Sequence, residues 1–441
     1  MTSSRIRYAS DELDDVPTLW TGDVAVIGGG SAGSTAAIAS ARRGAKTLLV
    51  ESGGFLGGTG TRVLDTFYGF FAPGPSSLRT VGGIGQEVCD RLTAVGMAFE
   101  RPNTYSAGTG VTYDPEALKV VWDDLTITER VSTLFFTLAT AVIMDGTQIV
   151  GIVAETKSGP VQIRAQVVID TTGEAEISWR AGATIDTSED TTRLQPATAT
   201  FRVGGVAEET VTTKELHSLI RSAAESGEYA LPRLEGSIHI TNHSGIRHAN
   251  LTRVAGKDLT DPWQLSWAEA EGRRQVAEYM RFLNDRVTGY EDAYLLGTST
   301  RIGVRETRRL VGEYVLGRAD FIGALSHDDD IARCGAPIED HGHGESTKWE
   351  YVGGGASPDD STYGVPFGTL VPREVENLLV AGRCLSATHE AHASVRSIGQ
   401  CMAMGHAVGV AAAMAADTGL LPRDVDRNNL RRVLAEAGAI L

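Results

Sequence analysis

The sequence predicts an α/β protein built on a parallel sheet, and three neighbouring features support this prediction. Val24–Ile27 is an apolar run suited to a strand that is buried on both faces. Gly28–Gly33 has the spacing GxGxxG where this strand would pass into an alanine-rich helix. A second strand, Thr47–Val50, ends at the acid Glu51. Together these elements predict a βαβ unit of the Rossmann type.

The glycines of this unit predict a dinucleotide site. Gly28 allows the tight turn, Gly30 lets a pyrophosphate approach the backbone, and Gly33 lets the helix pack on the strand. The N–H groups at the start of the helix favour phosphate. Glu51 can accept hydrogen bonds from ribose hydroxyls and would repel a 2′-phosphate. A lone GxGxxG is weak evidence, but here the strand, helix, second strand and acid stand in order.

Length and composition limit the partners. With 441 residues, the chain predicts two interlocked domains, and its 42% hydrophobic and 22% charged residues are typical of a soluble globular protein. The net charge of −16 argues against nucleic acid or anionic lipid as a partner. No apolar run reaches the roughly 18 residues of a membrane span. The polar N-terminus has no apolar signal core, so residues 1–21 are predicted to be a short mobile arm of a cytoplasmic protein.

The segments that follow Glu51 distinguish FAD from NAD. Glu51–Thr59 resembles the second glycine-rich loop of glutathione-reductase-type and fumarate-reductase-like flavoproteins. Val167–Glu174 resembles the strand and turn that close their FAD domain, and Asn377–Met414 resembles their last strand and the helix aimed at the flavin ring. Arg301–Leu316 and Asp258–Val276 are similar to signatures of the mostly bacterial FAD-dependent oxidoreductase branch.

This resemblance implies FAD as the cofactor. Some related flavoproteins tether the ring through a His in the glycine-rich stretch, but the segment 51–61 has neither His nor Cys, so FAD is predicted to bind noncovalently. The motifs predict these FAD-binding residues: Gly28, Gly30, Ser31, Ala32, Gly33, Glu51, Ser52, Gly57, Gly58, Thr59, Thr172, Gly173, Gly382, Arg383, Ile398, Gly399 and Gln400.

The FAD-binding domain is predicted to be discontinuous, with residues 22–60, 111–185 and 363–441. An inserted α+β substrate or cap domain would comprise residues 61–110 and 186–362, which hold most of the histidines.

Smaller signals predict elements within these domains. Helical spacing with Pro115 in the first turn indicates a helix, and breaks at Asp145–Gly146 and Ser158–Pro160 indicate a β-meander. A polar helix near 266–286 is expected to follow Trp263.

The stretch Thr388–Arg396 is the predicted catalytic segment. His389 is suited to carry a proton near neutral pH, Arg396 to hold a substrate oxygen, and His392 is a further candidate. The resemblance places this stretch on the substrate side of the flavin, in a loop before a helix that begins near residues 394–397. That helix would direct its N-terminus at the flavin. The alternative is that these side chains only order the loop through caps and salt bridges.

Other polar clusters have simpler interpretations. His239, His243 and His248 have strand-like spacing, which does not provide the helical pairing of a zinc site, so ordinary polar roles are favoured. His341–His343 is a weak metal candidate, and no metal is predicted. Among the arginines Arg301, Arg305, Arg308 and Arg309, which are able to bind an anion, Arg305 is expected to pair with Glu306.

The predicted function is hydride transfer between FAD and a small organic molecule, by a dehydrogenase, an oxidase or a C=C reductase. A flavin monooxygenase is the alternative enzyme, although such enzymes usually carry Gly-Asp-Ala where this chain has Ala381–Arg383. A non-catalytic FAD-binding subunit is the third possibility. The redox CxxxxC pattern and a second nucleotide fingerprint are both absent from the sequence. The substrate, electron acceptor and oligomeric state are not predicted.

Overall fold

The computed structural model describes residues 6–9, 12–187, 191–341 and 347–441. Its strands in chain order are β1 Arg7–Ala9, β2 Thr18–Ile27, β3 Thr47–Val50, β4 Thr66–Phe67, β5 Ala98–Pro102, β6 Thr109–Tyr113, β7 Ser132–Leu134, β8 Leu138–Asp145, β9 Gln148–Thr156, β10 Gly159–Asp170, β11 Ile185–Asp186, β12 Phe201–Gly204, β13 Ser237–Ile240, β14 Arg247–Asn250, β15 Tyr294–Thr298, β16 Arg309–Leu310, β17 Asp330–Cys334, β18 Ile338–Asp340, β19 Lys348–Glu350, β20 Tyr363–Pro366 and β21 Leu378–Val380. Its α-helices are α1 Ser31–Arg42, α2 Thr59–Arg62, α3 Gly83–Ala94, α4 Pro115–Thr128, α5 Glu176–Ala181, α6 Thr213–Glu225, α7 Pro262–Arg286, α8 Arg318–Ile322, α9 His389–Val395, α10 Ile398–Thr418 and α11 Arg427–Glu436.

The largest sheet confirms the predicted α/β fold class. Its strand order is β1-β8-β9-β10-β2-β3-β7, and β21 pairs with the last part of β10. The strands β21, β10, β2, β3 and β7 are parallel, whereas β8, β9 and β10 form the expected antiparallel meander. Ile27 pairs with both Val50 and Asp170. Gly28, Glu51 and Thr171 therefore leave the sheet side by side at its carboxyl edge, where open parallel sheets bind ligands.

Helix α10 is the core helix of this layer and packs on α1. A Cβ added at Gly405 would lie 2.1 Å from the carbonyl oxygen of Ala32, so the contact needs glycine. Within the described residues, α10 alone has the length and apolar composition of a membrane span, with a mean hydropathy of 1.3. However, 83% of its apolar window is buried inside the protein, as in the core helices of proteins that cross no membrane.

The inserted part of the chain has a core of its own. The antiparallel sheet β13-β14-β12-β15 packs with α6 and α7 around Phe201, Tyr279 and Phe282, in a cluster of residues 199–293 that is separate from the large core. The small sheet β4-β6-β5 differs, because Phe67 and Tyr113 belong to the large core. Residues 61–110 are thus less separate from the first βαβ unit than the sequence suggests.

The described part of the N-terminal segment, residues 6–9 and 12–21, belongs to the fold and is not a mobile arm. Strand β1 pairs in parallel with β8, and the side chain of Gln162 donates to the carbonyls of Leu13 and Val16. Leu13 is buried against the meander. The polar composition of this segment hid these contacts, which are made mostly by its backbone.

Two helix boundaries have local causes. Asp114 caps α4 and places Pro115 in its first turn, as predicted. Helix α7 starts at Pro262 rather than near 266, because the Asp261 carboxylate accepts from the N–H groups of Trp263 and Gln264. The stretch that holds His389 is the short helix α9, not a loop, and Thr388 caps it.

Candidate active site

A cavity of about 650 Å³ opens at the carboxyl edge of the large sheet. All but four of the predicted FAD-binding residues line it, and the four exceptions are Gly33, Gly57, Gly399 and Gln400. These four lie directly behind its wall. Gly57 donates to the Gly29 carbonyl, and Gln400 donates to the Gly69 carbonyl. The motifs that are distant in the sequence therefore meet around one space.

At one end of the cavity, Glu51 organises the two glycine-rich loops. Its carboxylate accepts from the N–H of Gly29 at 2.8 Å and from the N–H of Gly53 at 2.5 Å. The side chain of Arg62 also donates to it. A Cβ at Gly58 would lie 2.7 Å from the Cα of Gly30, so both loops present bare backbone here.

Donors for a diphosphate surround the same end. No side chain caps α1, which leaves the N–H groups of its first turn to a ligand. Nη1 of Arg383 is buried without a hydrogen-bond partner among the described residues, and the guanidinium lies against Gly173. These residues fit a dinucleotide whose ribose meets Glu51 and whose diphosphate meets α1 and Arg383.

Comparison with known proteins then identifies the family. A model of the family described as FAD dependent oxidoreductase matches residues 23–434. The chain belongs to this family. FAD is its cofactor, and it is an oxidoreductase enzyme. No curated protein matches it.

Several solved structures are similar to this chain at low identity. The chain is similar to a geranylgeranyl bacteriochlorophyll reductase-like protein from Thermoplasma acidophilum, with 14% identity over 95% of this chain and 84% of that chain and a TM-score of 0.48. It is similar to the flavin-dependent brominase Bmp2, with 13% identity over 94% and 83% and a TM-score of 0.47. It is also similar to p-nitrophenol 4-monooxygenase from Pseudomonas putida, with 12% identity over 96% and 87% and a TM-score of 0.47.

At the other end of the cavity, this FAD-dependent oxidoreductase gathers three arginines. Arg233, Arg305 and Arg396 line the wall together with Glu339. Arg233 donates to Asn250, and Arg305 donates to the Pro196 carbonyl at 2.6 Å. The Arg396 side chain donates to no residue in the described part of the chain, and its Nε is buried.

The electrostatics of this end are those of a site with excess positive charge. Burial, together with the charges of Arg233 and Arg396, lowers the pKa of Arg305 to about 9. Glu339 is a carboxylate, because His341, Arg305 and Arg396 outweigh burial and lower its pKa to about 2. Glu339 is a counterion of both Arg305 and Arg396, and Glu306 is a second counterion of Arg396. Arg233 adds a third positive charge on this wall, which favours an anionic ligand.

Tyr68 also lines the cavity, and the sequence analysis missed it. Its carbonyl accepts from the N–H of Gly399 at 3.0 Å, which places it beside the first turn of α10. Burial raises the pKa of its phenol, so Tyr68 is protonated at neutral pH and is able to donate a proton. Its place just after the second glycine-rich loop is the signal that was available in the sequence.

His389 lies beside the cavity and does not line it. Its Nδ1 contacts both carboxylate oxygens of Glu306, at 2.9 and 3.0 Å, and its Nε2 is 3.5 Å from Asp340. Hydrogen bonds to Asp340 and Glu306 raise the pKa of His389 to about 9. At the start of α9, His389 is therefore an imidazolium between two carboxylates.

The other member of the predicted catalytic segment is also buried away from the cavity. His392 donates through Nε2 to the Arg383 carbonyl at 3.0 Å, and burial lowers its pKa to about 3. It therefore holds the backbone of Arg383 in place. Of the three predicted catalytic residues, only Arg396 reaches the cavity.

The remaining arginine candidates separate in the structure. Arg305 does not pair with Glu306 as expected, since Glu306 is taken by Arg309 and His389. Arg301 lines the nucleotide end near Glu174. Arg308 stacks on Trp179 outside the cavity.

Each of the remaining histidine candidates in the described part of the chain contacts an acidic side chain. His341 contacts Glu339 at 3.0 Å and Thr347 at 2.7 Å, while residues 342 and 343 of the weak metal candidate lie outside the described residues. His243 pairs with Asp114, whereas His239 and His248 both approach Asp65.

Proposed function

We propose that this enzyme transfers a hydride between FAD, bound noncovalently, and a carbon atom of a small organic acid. The reaction would run as a dehydrogenase or an oxidase, or in reverse as the reduction of a double bond. FAD supplies the hydride chemistry, and the protein supplies binding, orientation and a path for the proton. The observation that carries the proposal is that Arg233, Arg305 and Arg396 line a part of the cavity to which the nucleotide motifs do not contribute.

Two groups of arginines divide the cavity. Arg62, Arg301 and Arg383 lie with Glu51 and Glu174 at the nucleotide end, where a diphosphate needs donors. In the rest of the cavity, the charges of Arg233, Arg396 and Glu339 act on Arg305. Arg383 also acts on Arg396, so the two groups adjoin each other. A guanidinium presents a planar fork that matches a carboxylate. A substrate carboxylate is thus the ligand that Arg305 and Arg396 are best suited to hold.

Tyr68 is our proposed proton-transfer residue. It faces the cavity beside the first turn of α10, and its raised pKa keeps the hydroxyl protonated. His389, the candidate from the sequence, would act as a positioning residue through Glu306 and α9. Arg396 would hold a substrate oxygen, which is the role predicted for it from the sequence.

The nucleotide end and the arginine end belong to one cavity, which argues for an enzyme rather than a non-catalytic subunit. The electron acceptor and the oligomeric state are left open. All four cysteines are free and buried, which is compatible with the cytoplasmic location that we propose.

A panel of small carboxylic acids and their primary amides tests this function. We expect some acids to perturb or bleach the visible absorbance of the bound flavin under anaerobic conditions, and the matched amides to do neither. Arg396→Lys should weaken the acid response and leave the flavin spectrum of the free enzyme unchanged, because the charge remains but the fork is lost. An amide that acts as well as its acid would contradict the assignment.

A further inference from the structure

Outside the flavin cavity, Asp65, His239 and His248 bring one carboxylate and two imidazoles together in the interior. The two histidines face each other on β13 and β14, with ring centres 5.0 Å apart. Oδ1 of Asp65, just before β4, lies 2.8 Å from Nε2 of His239 and 3.5 Å from Nδ1 of His248. The three side chains are only 1%, 7% and 3% exposed.

Hydrogen bonds within this cluster leave several buried atoms unsatisfied. Nε2 of His248 lies 3.2 Å from the Val63 carbonyl, which only accepts, so Nε2 carries a hydrogen. In a neutral ring Nδ1 then bears a lone pair, and it faces the carboxylate of Asp65. Oδ2 of Asp65 and Nδ1 of both histidines have no hydrogen-bond partner in the described part of the chain. Acceptors that face each other in the interior are satisfied by a cation, an added proton or a water molecule between them. A cation satisfies all three residues at once.

We propose that Asp65, His239 and His248 form a binding site for a divalent transition-metal ion, with Zn²⁺ as the best match. One ligand atom from each residue lies within 4.8 Å of the other two. Zinc bonds of about 2.0–2.2 Å place tetrahedral ligand atoms roughly 3.4 Å apart, so small side-chain shifts suffice. Imidazole nitrogens favour zinc and its neighbours over Mg²⁺ or Ca²⁺. Histidines that bind a metal through one ring nitrogen usually donate a hydrogen bond from the other nitrogen. The contact from Nε2 of His248 to the Val63 carbonyl is such a bond and leaves Nδ1 for the metal.

A small cavity of about 200 Å³ lies beside Asp65. Asp65 lines it together with Arg202, Asp114 and His243. Arg202 lies opposite His248 on the neighbouring strand, and its positive charge opposes a cation. Asp114 is an acid on the same wall and pairs with His243 at 2.8 Å. With three protein ligands and Arg202 nearby, we expect weaker binding than in a four-ligand structural zinc site.

The site would fasten the inserted sheet to the wall of the flavin cavity. Val63, Leu64, Tyr68 and Gly69 all line that cavity and flank Asp65 in the chain. The metal would thus act as a structural clamp and take no part in electron transfer. This inference does not depend on the proposed substrate or reaction.

The test starts with untagged, FAD-loaded wild-type protein that has been treated with a chelator. Calorimetric titration with Zn²⁺ should show one ion bound per chain, and X-ray absorption at the zinc edge should show only nitrogen and oxygen ligands at about 2.0–2.2 Å. His248→Gln should raise the dissociation constant at least about a hundredfold. His243→Gln is the matched control, and it should bind Zn²⁺ as the wild type does.

His248→Cys keeps a metal ligand and covers the case in which the glutamine variant does not fold. This variant should add a sulfur ligand to the zinc spectrum. The proposal is wrong if the wild type binds no Zn²⁺. That result is expected if His248 is doubly protonated and paired with Asp65. It is equally wrong if sulfur ligates the ion in the wild type. A loss of the ion in His243→Gln as in His248→Gln would also contradict it, and so would zinc bound to His248→Cys without a sulfur ligand.

Discussion

Glu51 is the residue on which the nucleotide end depends most. Its carboxylate holds both glycine-rich loops through Gly29 and Gly53 and also faces the cavity. Glu51→Gln keeps the shape but removes the charge, and each charge-assisted hydrogen bond contributes about 1.5–3 kcal/mol. We expect the affinity for FAD to fall roughly tenfold to hundredfold, measured by fluorescence titration of the flavin-free protein. An unchanged dissociation constant would mean that FAD does not use this carboxylate.

Tyr68 and His389 are competing candidates for the proton, and two variants separate them. Tyr68→Phe should slow flavin reduction by about 10²–10⁴-fold, because it removes a positioned acid or base from the cavity. His389→Ala should retain FAD and slow reduction much less. Stopped-flow reduction with an identified substrate measures both. A larger loss of rate in His389→Ala than in Tyr68→Phe would support the predicted catalytic role of His389 instead.

His389 also gives the folded state a pH dependence. Its pKa is raised to about 9 in the native protein, from about 6.5 in an unfolded chain. The protonated His389 therefore stabilises the folded state by on the order of 3 kcal/mol at most. This contribution is complete below pH 6.5 and is lost as the pH rises through 9. The free energy of unfolding should therefore fall across this window. In His389→Gln that decline should be absent, and an equal decline in both proteins would rule out this origin.

At the scale of elements, the contact between α1 and α10 fixes the geometry of the cavity. A Cβ at Gly405 would collide with the backbone of Ala32, in the first turn of the helix that faces the phosphates. Gly405→Ala should cost about 1–3 kcal/mol of stability and weaken FAD binding, both measured by thermal unfolding with and without added FAD. Gly297→Ala is the control, since a Cβ there meets nothing within 4 Å. Equal effects of the two substitutions would argue against a special role for the helix contact.

The elements that could be predicted are those with a local cause. The first βαβ unit, the meander and α4 all follow from periodicity, turn residues and caps in adjacent sequence. The N-terminal strand β1 was missed because its pairing with β8 depends on backbone contacts far away in the chain. Arg233 and Asp65 were missed for the same reason. Their neighbours come from distant segments, and no spacing in the sequence reveals such a meeting.

At the scale of the whole molecule, the fold places one nucleotide end and one arginine end in a single cavity. The two ends come from separate parts of the chain, because the nucleotide end uses the parallel sheet and the arginine end uses inserted segments and the C-terminus of α9. The central claim is that a substrate held by Arg396 passes a hydride directly to the flavin. No second nucleotide fingerprint is present in the sequence to bring electrons from NAD(P)H.

Anaerobic rapid mixing of the oxidised enzyme with its organic acid substrate tests this claim most directly. We predict that the flavin absorbance bleaches without oxygen or NAD(P)H, and that deuterium at the reacting carbon slows the bleaching. We also predict that NADH and NADPH at micromolar concentrations do not bleach it. A flavin that only NADH or NADPH reduces, with oxygen from O₂ then found in the product, would contradict the account and establish a monooxygenase.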